Sequence, residues 1–82
     1  MSRAGSLSYR EGNNEVPFRW ELGGTSVAFI WGTKKHVWDV QHPWAAGRQS
    51  EIYDSVAKEV IRQKSANCGF RIDLDGGTIT IL

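Results

Sequence analysis

The chain has 82 residues, 40% of them hydrophobic, and nine aromatics, four of them Trp, which is enough for one small domain with a real core and too apolar for a disordered chain. Ten basic against nine acidic residues leave a formal charge of +1, so no global field draws the protein toward nucleic acid or an anionic membrane. One cysteine, Cys68, excludes an internal disulfide, and no apolar run approaches the ~20 residues of a membrane span. With a short polar start and no apolar stretch behind Met1, the chain reads as a soluble cytoplasmic protein without a signal peptide.

Residues 1–5 are small and polar and read as a frayed end. Leu7 and Tyr9 then alternate with Ser8 and Arg10. Glu11-Gly12-Asn13-Asn14-Glu15 is turn composition, because Gly and Asn tolerate positive φ. Val16, Phe18, Trp20 and Leu22 alternate with Arg19 and Glu21, giving a second strand whose Pro17 calls for an edge or a bulge. Gly23-Gly24 reads as a two-residue turn into a third strand over residues 25–31. That loop length sets Trp20 opposite Val27, Phe18 opposite Phe29 and Val16 opposite Trp31, with every apolar partner on one face. The first turn keeps the same parity, with Tyr9 facing Phe18 or Val16.

Residues 36–40 read as a short fourth strand with mixed faces. Residues 41–47 are irregular, since Pro43 disfavours helix at His42 and Gly47 adds another break. Over residues 50–64 the period changes: Ile52, Tyr53, Val56, Ala57, Val60 and Ile61 form one apolar helical face. Ser50 is the expected N-cap, Glu51 and Asp54 suit the positive end of the dipole, and Asn67 or Gly69 supplies the stop. Phe70, Ile72 and Leu74 alternate with Arg71 and Asp73. Asp75-Gly76 signals a type I′ hairpin that sets Ile72 opposite Ile79 and Phe70 opposite Ile81. The expected fold over residues 1–82 is a single α+β domain. It has an antiparallel sheet of five to six strands (three or four, one helix, then a hairpin), with the single amphipathic helix packed on one face.

No catalytic constellation emerges. His36 and His42 lack metal-site spacing and read as ordinary histidines, while Cys68 reads as a small core residue. Asp75 belongs to turn chemistry, so Asp73 and Asp75 do not make a metal pair. No cofactor or metal is expected, and no nucleophile, triad or phosphate loop is present. In the expected register the aromatics lie under the helix and Arg10, Arg19 and Arg71 on the open face, which argues against a base-stacking platform. What folding leaves unexplained is the segment 33–48. There Lys34, Lys35, Asp39, His42, Trp44 and Arg48 are the candidate partner-binding residues, with Trp44 as anchor and Trp38 plugging the core.

Three short motifs carry a resemblance: Tyr9-Arg10-Glu11-Gly12, Trp38-Asp39 followed by Pro43, and Gly69-Phe70-Arg71-Ile72 after the helix. In this order the chain resembles the small cytoplasmic immunity proteins of bacterial toxin–immunity systems, including those of contact-dependent growth inhibition. The resemblance implies a protein that binds and neutralises a cognate toxin domain, often a nuclease, by occluding its site, with no catalytic residues and no direct contact with nucleic acid or membrane. Another protein-binding or scaffold module, or a small nucleic-acid-binding domain, are the alternatives.

Overall fold

Strand-forming segments precede the first helix three times and follow the last twice, and all but the third alternate apolar with polar residues. The computed structural model describes residues 4–22, 28–64 and 69–82. Strands β1 (Ala4–Glu11), β2 (Asn14–Leu22) and β3 (Ala28–Trp31) lead into helix α1 (Lys35–Gln41), a 3-10 turn (Pro43–Ala45) and helix α2 (Gln49–Lys64). Strands β4 (Phe70–Asp73) and β5 (Thr78–Ile81) follow. All five strands form one open antiparallel sheet in the order β1-β2-β3-β5-β4. The fold is α+β, with α2 as the main helix on one sheet face. Because β5 lies between β3 and β4, the last two run parallel and need a long crossover, which the helices provide.

The first and last hairpins have the register that alternation dictates. Tyr9 pairs with Val16 and Leu7 with Phe18; Ile72 pairs with Ile79 and Phe70 with Ile81. Strand β1 already begins at Ala4, opposite Glu21, so pairing extends into the stretch expected to fray. Pro17 sits where β2 runs past the end of β3, whose pairing starts at Arg19, so its missing donor has no neighbour to disappoint on that side.

The middle hairpin differs. Trp20 pairs with Ile30 and Leu22 with Ala28, not with Val27 and Thr25. Five residues separate Leu22 from Ala28, in place of the two of a tight turn, and residues 23–27, with the Gly23-Gly24 turn, lie outside the described residues. The shift of three is odd, so it turns β3 over. Ala28 and Ile30 enter the core, while Phe29 and Trp31 face out. Alternation had no power to choose here, because both faces of β3 are apolar.

Residues 36–40, expected as a fourth strand, are the body of helix α1. Trp38 and His42, four apart, are buried on one side, and His36 and Val40 are exposed on the other. The indole N–H of Trp38 donates to the Ala45 carbonyl at 2.8 Å, and its ring stands 6.0 Å from that of Tyr53. These tertiary contacts outweigh a weak local alternation.

Helix α2 starts one residue earlier than its apolar period suggested, at Gln49, so Ser50 lies inside the first turn. Asn67 and Cys68 lie outside the described residues. Ile52, Tyr53, Val56 and Ala57 of α2 pack with Val16, Phe18, Ile30, Ile79 and Ile81 of the sheet and with Trp38 and Ala45. Tyr53 pins three segments. Its hydroxyl lies 2.9 Å from the Thr33 carbonyl and 3.0 Å from that of Gly77, and its ring meets Phe18 edge-on at 5.3 Å. Burial pushes its hydroxyl up to about 12. The Gln49 amide donates to the carbonyls of Thr33 and Leu74, both at 3.0 Å. No helix among the described residues is long and apolar enough to cross a membrane.

Candidate interaction surface

The segment 33–48 turns out to be held largely by its own side chains. Asp39 Oδ1 accepts the Gly47 amide at 3.0 Å, closing the turn after the 3-10 segment. His42 is buried against the Trp38 ring, and its Nε2 lies 2.8 Å from Thr33 Oγ1. Desolvation there lowers its pKa, which favours the neutral imidazole. Trp44 is half-buried against the core, and Trp38 is fully inside it. Arg48 reaches back to the first hairpin, donating to both carboxylate oxygens of Glu11 at 2.9 and 2.8 Å and to Glu51 at 2.6 Å. Of the six candidate partner-binding residues, Asp39, His42 and Arg48 therefore have intramolecular partners, Trp44 packs on the core, and the side chains of Lys34 and Lys35 are exposed.

The Arg48 cluster makes a prediction of its own. Hydrogen bonds from Arg48 and Tyr9 hold the Glu11 carboxyl at about 2, below its ordinary 4.5. A carboxyl with a depressed folded pKa stabilises the fold fully above its unfolded value, and that contribution is lost as pH falls from 4.5 toward about 2. The difference in urea midpoint between wild type and Glu11→Gln should shrink steadily over that window. A difference independent of pH would mean that the ion pair adds nothing to stability.

The sheet face opposite α2 offers a different surface. Phe29 and Trp31 stand at its centre, 40% and 41% exposed, with ring centroids 6.5 Å apart. Strand pairing arranges their neighbours in two rows. One row reads Glu21, Phe29, Thr80, Arg71 across β2, β3, β5 and β4; the other reads Arg19, Trp31, Thr78, Asp73. The four charged side chains are exposed, and the two threonines are half-buried. An aromatic pair in a frame of both charge signs has the anatomy of a protein-interface core with a polar rim.

Aromatics on an open sheet are also the usual base-stacking platform, and the expected register had placed them under the helix instead. With Phe29 and Trp31 outside, charge becomes the deciding quantity. Arg19 and Arg71 are balanced by Glu21 and Asp73, and Arg10 is paired with Glu15 at 3.1 Å. A single-strand channel requires a net positive groove, and this face has none.

Two other features are weaker. A groove of about 380 Å³ runs between β1 and α2, lined mainly by Leu7, Tyr9, Val56 and Val60. Among the described residues no group of three or more His, Cys, Asp or Glu side chains is placed to hold a metal ion. Comparison with protein-family models, with curated proteins and with solved structures finds no match.

The signal missed in the sequence was the composition of β3 itself. Ala28, Phe29, Ile30 and Trp31 are apolar on both faces, and a strand that is apolar on both faces in an open sheet must either be covered twice or present one face to something else.

Proposed function

We propose that this chain is a non-catalytic protein-binding module that works through the open face of its sheet, with Phe29 and Trp31 as anchors. One observation carries the reading: two large aromatics are exposed side by side on the central strand, where ordinary folding would place polar residues. Aromatic anchors supply most of the energy of protein interfaces, whereas scattered exposed apolar residues supply little. The resemblance to immunity proteins supplies a partner class: a cognate toxin domain, met in the cytoplasm and blocked by occlusion. At a net charge of +1, long-range steering is weak, so local contacts set the specificity.

The test is titration against the protein encoded by the adjacent reading frame, using wild type and the double variant Phe29→Ser with Trp31→Ser. Both side chains are exposed, so the variant should fold as wild type does by circular dichroism. Its affinity should fall by at least about 2 kcal/mol. Unchanged affinity in the folded double variant would rule out the sheet face and return the Lys34–Trp44 surface as the binding site. Tight binding of a single-stranded oligonucleotide that quenches Trp31 would instead make the chain a nucleic-acid binder.

A further inference from the structure

The charges around Phe29 and Trp31 are arranged so that the face is complementary to itself. Within the row of Phe29, Glu21 lies at one end and Arg71 at the other; within the row of Trp31 the signs are reversed, with Arg19 and Asp73 at the ends. Two copies placed face to face are related by a two-fold axis lying in the plane between them. Run along the strands midway between β3 and β5, such an axis lays β2 of one copy over β4 of the other and preserves the rows. Arg19 then meets the partner subunit's Asp73, and Glu21 meets the partner subunit's Arg71, each pair occurring twice. Had the two ends of each row carried the same sign, all four contacts would be repulsive.

Side-chain size selects this axis over the one across the strands. The same operation lays β3 over β5, so Phe29 and Trp31 pack on the partner subunit's Thr80 and Thr78. Large side chains over small ones interdigitate at the ~10 Å spacing of stacked sheets. An axis across the strands also pairs opposite charges, but it sets aromatic against aromatic along the middle and threonine against threonine beside it, which leaves a gap on one side.

We infer that the open face is the interface of a symmetric homodimer. The inference rests on the reading of this face as a binding surface and names a second copy of the chain as its occupant when no other partner is present. The overlap is small: the four strands β2, β3, β5 and β4, over four paired residues each, span about 13 by 14 Å at ~3.3 Å per residue and ~4.8 Å spacing. A patch this small lies below the usual range of stable interfaces, so a weak dimer is expected, with dissociation in the range of about 10 μM to 1 mM.

Sedimentation across about 1 μM to 1 mM should show the particle rising from the 9.2 kDa chain toward twice that mass. Trp31→Ser should remain monomeric throughout. Arg19→Asp should weaken association at least about ten-fold, and adding Asp73→Arg to the same chain should restore it. Residues 19 and 73 lie three strand spacings apart, about 14 Å, so that rescue must act between subunits. A monomer at every concentration, a dimer that survives Trp31→Ser, or a double swap no better than Arg19→Asp alone would each overturn the inference. A monomeric wild type whose adjacent-frame partner is lost in the Phe29→Ser, Trp31→Ser variant would overturn the homodimer and leave the binding-face reading standing. A dimer insensitive to both face variants would place the dimer contact elsewhere and overturn the inference, while the adjacent-frame titration alone decides the binding-face reading.

Discussion

Trp38→Ala is expected to destabilise the protein by about 3–5 kcal/mol, the usual range for truncating a buried Trp. A domain of this length has on the order of 4–12 kcal/mol of total stability, so the variant should be close to unfolding at ambient temperature. Two effects combine. The cavity opens among Tyr53, His42 and Ala45, where a 1% exposed indole had filled the gap between α1 and α2. The Ala45 carbonyl also loses its 2.8 Å donor in a buried setting, which costs beyond the missing apolar area. Trp38→Phe separates the terms, since it keeps much of the volume and removes only the N–H. Urea denaturation followed by far-UV circular dichroism reads both. A midpoint for Trp38→Ala within error of wild type would mean that α1 and the 3-10 turn are not part of the cooperative core.

How much of this was legible beforehand depends on how many forces spoke at each position. Helix α2 was readable because period, charge placement and length all agree over residues 49–64. The β4–β5 register was readable because Ile72, Ile79, Phe70 and Ile81 are apolar only on one face, so a slip of one residue is punished. Strand β3 lacked that protection. With Ala28 and Ile30 on one side and Phe29 and Trp31 on the other, only the expected turn length fixed its orientation, and the pairing of Leu22 with Ala28 does not match a two-residue turn. Packing explains the outcome. Tyr53 and Phe18 already fill the volume under the sheet, and the smaller Ala28 and Ile30 fit against them. The candidate site moved for the same reason: sorting Phe29 and Trp31 into the core left residues 33–48 as the only unexplained aromatics. Once Trp38, His42 and Arg48 have found their intramolecular partners, the unexplained surface is the sheet face.

The β4–β5 turn gives the sharpest test, because it moves a single glycine by one place. The hairpin dipeptide Asp75-Gly76 pointed to Gly76 as the residue with positive φ, but Gly77 holds that conformation, at φ 73°. Gly77 is also buried, and a Cβ on it would lie 3.0 Å from the backbone of Thr33 and Lys34, which has nowhere to retreat. Its carbonyl accepts the Gly32 amide at 2.9 Å and the Tyr53 hydroxyl at 3.0 Å, so the turn clamps the β3–α1 connection to α2. At Gly76 an added Cβ would meet only the Asp73 carboxylate, at 2.8 Å, an exposed side chain that can move aside at the cost of the 3.2 Å hydrogen bond it accepts from the Gly76 amide. Gly77→Val should therefore cost about 3–5 kcal/mol, from left-handed strain on a β-branched residue together with overpacking against backbone. Gly76→Val should cost less, about 1–2 kcal/mol, because the half-buried position has no positive φ and disturbs only the Asp73 contact. Paired urea titrations check the ordering. Since the turn also fixes Thr78 beside Trp31, Gly77→Val should lower amide protection along β5 and weaken whatever the open face binds. If Gly76→Val proved the costlier substitution, the hairpin would close as a two-residue type I′ turn after all, and the clamp on Thr33 would not form as described.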